Sequence, residues 1–464
     1  MERSPSPSRR NGTFDSTLVA RPPLFTAPED RAQGHRLRRA AFAPELQRKT
    51  QAERGPADGP RAAVYTALDA ASDHKESSAI VQTQMHTHHA SAVFLATLAA
   101  ACAPAPDTGL PTPALHGIPF GPADSLTTAL TPVDFDGDGT LDLGVGTGKH
   151  EPAPNMLYTS SEGGLLDLEE QLGEELDSTF GLAFGDLDRD GRMDFVAAND
   201  VSYHNRICLQ QSDGGFDCRA WWRGWQSRDI DLVDLNGDGL LELIFTNKYQ
   251  LDQIFFGGNL DWEPPIYVGQ EPDGDSPMQA FGHRQRGSVA AAIGDVDLDG
   301  SPDVVIATRE TQPSALHYGT PDGLGETRYL KLGSTRAVLL VDVDDDGALD
   351  LLAGNLMQPN LLLRNRGDGT LGPPEPVGPQ AHNTWALGAL DLDGDGLLDL
   401  IEGNAREPDR VHMGLPGGRF DEPFELDAVD SDTRAIAVGD FDDDGDQDFV
   451  VGRYGQQDLL FLVE

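Results

Sequence analysis

The stretch VDFDGDGTLDL, residues 133–143, holds Asp134, Asp136, Asp138 and Asp142 within nine residues. Like charges packed this closely repel unless a cation lies among them. The pattern D-x-D-x-D-G-x-x-D then returns, seven copies in all, at steps of 52, 48, 61, 47, 49 and 49 residues. The second copy offers Asp186, Asp188, Asp190 and Asp194, and the third Asp234, Asn236, Asp238 and Glu242. The fourth offers Asp295, Asp297, Asp299 and Asp303, and the fifth Asp342, Asp344, Asp346 and Asp350. The sixth offers Asp391, Asp393, Asp395 and Asp399, and the seventh Asp440, Asp442, Asp444 and Asp448. Each copy has glycine at position 6, where a sharp turn brings the flanking carboxylates around one point. Hard oxygen ligands on a flexible loop select Ca²⁺ over transition metals, so up to seven Ca²⁺ are expected. Asn236 and Glu242 remove one charge and lengthen one arm, which predicts the weakest site in the third copy. A single such segment is no more than an acidic surface turn. Seven copies in register, each followed by an apolar run, call for a common cause.

The elements that must position these loops are short strands. TRAIAVGD ends at Asp440 and TRAVLLVD at Asp342; LDLLAGN and LLDLIEGN close the fifth and sixth loops and run on from them. A third apolar run comes next, as in NLLLRN from Asn360 and DRVHMG from Asp409, then a glycine-rich turn and a less regular fourth segment. Short strands punctuated by turns, repeated at this period, predict an all-β fold: a seven-bladed β-propeller of four-stranded blades over residues 113–464. The last copy ends at QDLLFLVE, three strands into its unit, and HGIPFG (116–121) is expected to supply the fourth and close the ring. Four residues before each loop stand Leu130, Leu182, Ile230, Ala291, Val338, Leu387 and Ile436; one residue later stand mostly small ones. Alternation puts these on opposite faces of a strand that packs between blades.

The acidic loops, and third-strand segments such as NLLLRNRGDGTL, resemble FG-GAP/VCBS repeats like those of the propeller at the N-terminus of integrin α-subunits. The resemblance covers roughly residues 112–464. It implies a loop that joins the first two strands of a blade and holds Ca²⁺ through the acids above, with a position-7 carbonyl (Thr140 in the first copy) as a further ligand. A scaffold of this kind does not by itself define a function.

The front of the chain differs. Residues 1–84 hold 13 Lys and Arg against 10 Asp and Glu, whereas the rest holds 21 against 67. They read as a disordered or misassigned extension, with Met85 as the true start. Residues 85–102 end in a short apolar stretch with small residues before Cys102 and resemble a bacterial lipoprotein signal. Cleavage there would leave Cys102 lipidated, followed by a Pro-rich tether over 103–112. This predicts an extracytoplasmic protein at the bacterial outer membrane or cell surface, meeting the membrane through a lipid anchor only. Cys208 and Cys218 flank a plausible hairpin turn and are expected to form a disulfide, as an oxidising compartment permits.

The formal net charge of −43 excludes nonspecific nucleic-acid binding, which needs clustered Lys and Arg. The loops account for 27 carboxylates, and the rest leave no recognisable catalytic pair. Nucleophile-elbow, zinc-hydrolase and phosphate-loop motifs are absent, and nothing singles out His382 or any other residue as a catalyst. Function is expected at the mouth opposite the acidic loops. Seven residues before each loop lies Ser or Thr in every copy, the pattern of local hydrogen bonding at strand starts. The next position varies: Thr128, Phe180, Arg228, Val289, Arg336, Trp385 and Arg434. Arg228, Arg336, Trp385 and Arg434 are the candidate ligand-binding residues, offering guanidinium forks and an aromatic face; packing between blades is the alternative. Trp221, Trp222 and Trp225 read as core first and as a partner surface second. The expected function is non-catalytic: a calcium-stabilised, monomeric propeller binding a protein or polysaccharide. A polysaccharide-active enzyme such as a lyase is the alternative, favoured if His, Lys or Tyr converge on the channel; a mouth of only Ser, Thr and Asn would favour binding.

Overall fold

A computed structural model describes residues 115–464, apart from 162, 201–202, 222–224, 257–277, 282–286, 310–312, 428 and 464. The extension over 1–84, the signal-like segment 85–102 with Cys102, and the tether 103–112 lie outside the described residues. So do Trp222 and its neighbour Arg223. All described elements are strands, and no helix among them is long and apolar enough to cross a membrane.

The strands form four-stranded antiparallel units, each joined in chain order. The first unit runs Thr127–Val133, Asp142–Thr147, Met156–Ser160, Leu166–Gln171, and the second Thr179–Gly185, Asp194–Asn199, Asn205–Gln210, Phe216–Trp221. Third and fourth units begin at Ser227–Val233 and Ser288–Gly294, fifth and sixth at Thr335–Val341 and His382–Leu390. Fourth strands of the fifth and sixth units shrink to Glu375–Pro376 and Phe424–Glu425. The last unit has Ser431–Gly439, Asp448–Arg453 and Asp458–Phe461, and takes its outer strand from Ile118–Phe120. Ile118 pairs with Leu460 and Phe120 with Asp458, so the two ends of the described chain share one sheet. The first strand of each unit packs on the first strands of the units before and after it, and that of the last unit packs on Thr127–Val133. The result is a closed β-propeller with the first strands around the axis.

The core lies between blades. Leu130, Leu182, Ile230, Ala291, Val338, Leu387 and Ile436 are all buried, and each packs into a cluster that spans neighbouring sheets. The interval between blades is narrow where second strands carry glycine. A Cβ on Gly403 would stand 2.5 Å from Thr433 Cγ2 of the next blade, and one on Gly452 would stand 2.6 Å from Thr127 Cγ2. No side chain fits there.

The Ser/Thr ring lies in this same interval, and Thr127, Thr179, Ser227, Ser288, Thr335, Thr384 and Thr433 are fully buried. Its members serve structure. Thr179, Ser227, Thr335 and Thr384 donate to the Asn paired with them on the adjoining strand, for example Thr384 Oγ1 to Asn404 Oδ1 at 3.0 Å. A third set, unmarked by the repeat motif, completes the latch: Asn155, Asn205, Asp252, Ser314, Asn360, Asp409 and Asp458, near the start of each third strand. Each accepts the backbone N–H of the second-strand residue paired with the ring Ser or Thr, such as Arg453 N to Asp458 Oδ1 at 2.7 Å. Several reach onward to the next blade: Ser288 donates to Asp252 and Thr433 to Asp409, both at 2.8 Å. Thr127 donates to Asp458 at 2.7 Å and thereby joins the first and last blades.

Candidate functional site

Two sets of polar groups stand at opposite ends of the first strands. At the outgoing end are the acidic loops. Position 9 begins the second strand, where Asp142, Asp194, Glu242, Asp303, Asp350, Asp399 and Asp448 are buried. These carboxylates hold backbone in place. Asp142 Oδ2 accepts Phe135 N–H at 3.0 Å while Oδ1 accepts Ser160 N–H at 2.9 Å. Asp194, Asp303, Asp399 and Asp448 repeat this double bond. Burial still dominates their protonation: it pushes Asp142, Asp194, Asp303, Asp350 and Asp448 up to about 6 and Asp399 to about 7, with neighbouring loop carboxylates adding to the rise.

Positions 1, 3 and 5 are more open. The position-7 N–H donates to the position-5 carboxylate in every loop, as Thr140 N does to Asp138 Oδ1 at 2.9 Å. Carboxylate oxygens from Asp134, Asp136 and Asp138, and from Asp295, Asp297 and Asp299, lie within 4.8 Å of one another. Asp186, Asp188 and Asp194 make such a group, as do Asp342, Asp344, Asp350 and Asp391, Asp393, Asp399. Asp134 Oδ1, Asp344 Oδ1, Asp440 Oδ1 and Asp442 Oδ1 are buried without any hydrogen-bond partner. Orphaned carboxylate oxygens converging on one point fit a hard divalent cation better than they fit each other. Among the described residues, two loops also have a carboxylate paired with a guanidinium group. Arg192, at position 7 of the second loop, pairs with Asp190, and Arg364 Nη1 lies 2.9 Å from Asp344 Oδ2 in the fifth. The sequence reading singled out only the third loop as weakened; Arg192 was visible as a position-7 cation, whereas Arg364 comes from a distant strand.

At the incoming end of the first strands the chain does something else. In all seven blades the pairing between first and second strand skips one residue. The skipped residues are Thr128, Phe180, Arg228, Val289, Arg336, Trp385 and Arg434, the variable position of the sequence analysis. A bulge leaves its extra residue outside the ladder and re-aims its side chain. All seven line one cavity of about 100 Å³ on the axis. The four candidates Arg228, Arg336, Trp385 and Arg434 are therefore brought together.

Their arrangement is cationic and aromatic. Arg434 stacks on the Trp385 ring, with Cζ 3.9 Å from its centroid, and Arg336 Cζ lies 5.4 Å from the same ring. Arg228 stacks on Phe180 at 3.9 Å and reaches Asp200 Oδ1 at 3.3 Å. Lys149, from the loop after the second strand of the first blade, stands 5.4 Å from Trp385 and 4.8 Å from Tyr454. Burial lowers its ammonium to about 8, and Arg434, Arg406 and Arg228 push the same way against Asp432. His150 faces Phe180 and hydrogen-bonds with Asp200 at 3.0 Å. Lys149, His150 and Tyr454 were not singled out in the sequence, because they come from connections with no repeating motif.

The remaining candidates lie elsewhere. His382 is outside the cavity, 3.1 Å from Glu407. Trp221 is buried against Phe245 and Phe255, and Trp225 packs against that same cluster, so both are core. Cys208 and Cys218 face each other on adjacent strands and are joined by a disulfide.

A family model described as an FG-GAP-like repeat matches three times, over residues 134–197, 186–245 and 342–402. No curated protein matches the sequence. Among solved structures, the chain is similar to BBS1N, crystallised in complex with ARL6DN, at 10% identity and TM-score 0.49, covering 75% of this chain and 95% of that one. It is also similar to the BP39L lectin from Burkholderia pseudomallei at 11% identity and TM-score 0.48, covering 74% and 94%. The matched repeats each begin at an acidic loop and run through the strands that follow. The chain is a β-propeller, and three stretches of it match the FG-GAP-like repeat.

Proposed function

We propose that this protein is a non-catalytic binding propeller, stabilised by Ca²⁺ in its acidic loops, that takes a protein or polysaccharide ligand at its axial cavity. The observation that carries this reading is the bulge: every blade spends one residue there, and Arg228, Arg336, Trp385 and Arg434 meet on one cavity. When bound, calcium supplies charge neutralisation and rigid loops; positions 1, 3, 5 and 9 would hold it. The rest is done by this chain's residues, since the position-9 carboxylates fix the strands and the latch fixes the blades. The disulfide supports work outside the cytoplasm, and lipidation at Cys102 would tether the propeller to the outer membrane or cell surface.

The test is binding of the calcium-loaded protein to glycan and peptide arrays, beside an Arg336→Ala variant. Ligands lost by the variant support the cavity as the site. An unchanged pattern in a folded variant removes it.

A lyase is the second reading, favoured by the convergence of Lys149, His150 and Tyr454 on the mouth. A lysine lowered to about 8 is a usable base near neutral pH. Incubation with uronate polysaccharides would then release products absorbing in the ultraviolet as unsaturated uronides. No such absorbance from protein that binds the polymer leaves the binding reading alone.

A further inference from the structure

The axial cavity contains a cation with unmet hydrogen bonds. The Arg434 side chain is 9% exposed, and its Nη2 pairs with Asp432. Its Nε and Nη1 are buried with no partner. Guanidinium donors cannot be silenced by deprotonation, because arginine stays charged. Trp385 holds the group flat by stacking at 3.9 Å, and Lys149 places a second positive charge on the same ring. Asp229 also lines the cavity and Asp432 meets only Nη2, so Nε and Nη1 are left for an acceptor on a ligand.

Size decides what kind. The cavity is about 100 Å³; an apolar cavity of roughly 150 Å³ is what takes up benzene in an engineered protein. A space this small suits a small group, and the Trp385 surface that a sugar would stack on is already approached by Arg434, Arg336 and Lys149. A carboxylate on a narrow aliphatic stalk fits.

We propose that the cavity is a recognition site for an aliphatic carboxylate, with Arg434 as its principal donor, Lys149 as its flanking cation and Trp385 as the plate that orients Arg434. This rests on reading the cavity as the binding site, and it narrows the ligand to a short carboxylic acid or the side chain of an acidic residue in a partner protein. A uronate held by its ring is the alternative it rejects.

Calorimetric titrations of the calcium-loaded full chain test it, using propionate, the peptide Ac-Gly-Glu-Gly-amide, its Gln counterpart, and galacturonate. Propionate and the Glu peptide should bind competitively, and the Gln peptide about tenfold or more weaker, the loss of one charge-assisted hydrogen bond. Equal affinity of propionate and the Glu peptide assigns the site to small acids; a tighter Glu peptide assigns it to a protein side chain. Arg434→Met should abolish binding. Should that variant fail to fold, Lys149→Met should still weaken the carboxylate several-fold, and Asp432→Asn should strengthen it by removing the competing anion. Galacturonate bound while propionate is not would overturn the carboxylate-stalk assignment and leave the cavity as a site. No ligand bound by folded protein would overturn both.

Discussion

The two ends of the same seven strands carry opposite chemistry. At one end the loops repeat nearly the same four acids in every blade, and buried oxygens such as Asp134 Oδ1 and Asp440 Oδ1 have no partner. At the other end one residue per blade is released by a bulge, and it differs from blade to blade. Repetition suits a job that every blade must do alike, which is to fix the turn between its first two strands. Variation suits a single site on the axis, to which each blade contributes once. The cations at the mouth and the carboxylates at the rim are separated by the length of a strand, roughly 20 Å for six residues, beyond a Debye length at physiological salt. Each end therefore sets its own local charge.

Calcium removal is the strongest way to probe that division. Excess chelator should lower the melting midpoint by about 10 °C or more, because several bound cations each stabilise by mass action. Scanning calorimetry with and without Ca²⁺ measures it, and an unchanged midpoint would show that the rim needs no cation. Within the rim, Asp399→Asn should cost about 3 kcal/mol even in chelator, since Asp399 holds the N–H groups of Leu392 and Gly414 whatever else is bound, and more in calcium, where a ligand is lost as well. Asp393→Asn, by contrast, should matter in calcium only. Equal behaviour of the two variants in urea denaturation would erase the distinction between position 9 and position 3.

At the mouth the expected effects are smaller and concern affinity. Lys149 carries its charge below about 8, so binding of an anion should weaken a few-fold between pH 7 and pH 9. Arg434, Arg406, Arg228 and Asp432 face it. The unfolded chain holds the Lys149 proton more tightly than the folded one. This residue's contribution to stability therefore rises as pH climbs from 8 towards 10.5, opposite to its effect on binding. Lys149→Met should flatten the affinity profile, and a profile just as steep in that variant would assign the titration to another group. The smallest effect on the mouth belongs to Cys208→Ser with Cys218→Ser. It should cost about 2 to 3 kcal/mol of stability and leave ligand affinity unchanged. A shift in affinity on losing the disulfide would show that the outer strands of the second blade reach the axis.

Much of the architecture could be read from residue types alone. Asp-rich loops with glycine at position 6, apolar runs on either side and a nearly constant period fix strand order and blade count, because each repeat has one apolar face and cannot bury it without a neighbour. The pairing of HGIPFG with the last strands was legible for the same reason: an unpaired edge is costly. The variable position before each first strand could also be marked, since it stands out beside an invariant Ser or Thr. Tertiary structure alone decided what that position does. A bulge is a defect in pairing between two strands, with no residue type of its own, and the convergence of Arg228, Arg336, Trp385 and Arg434 depends on closing the ring. Lys149, Tyr454 and the latch residues Asn205, Asp252 and Asp458 came from segments without a motif, and the packing of distant strands gave them their partners in neighbouring blades. Local repetition wrote the scaffold into the sequence, whereas the site is long-range in origin: its parts come from seven separate repeats and meet only once the ring has closed.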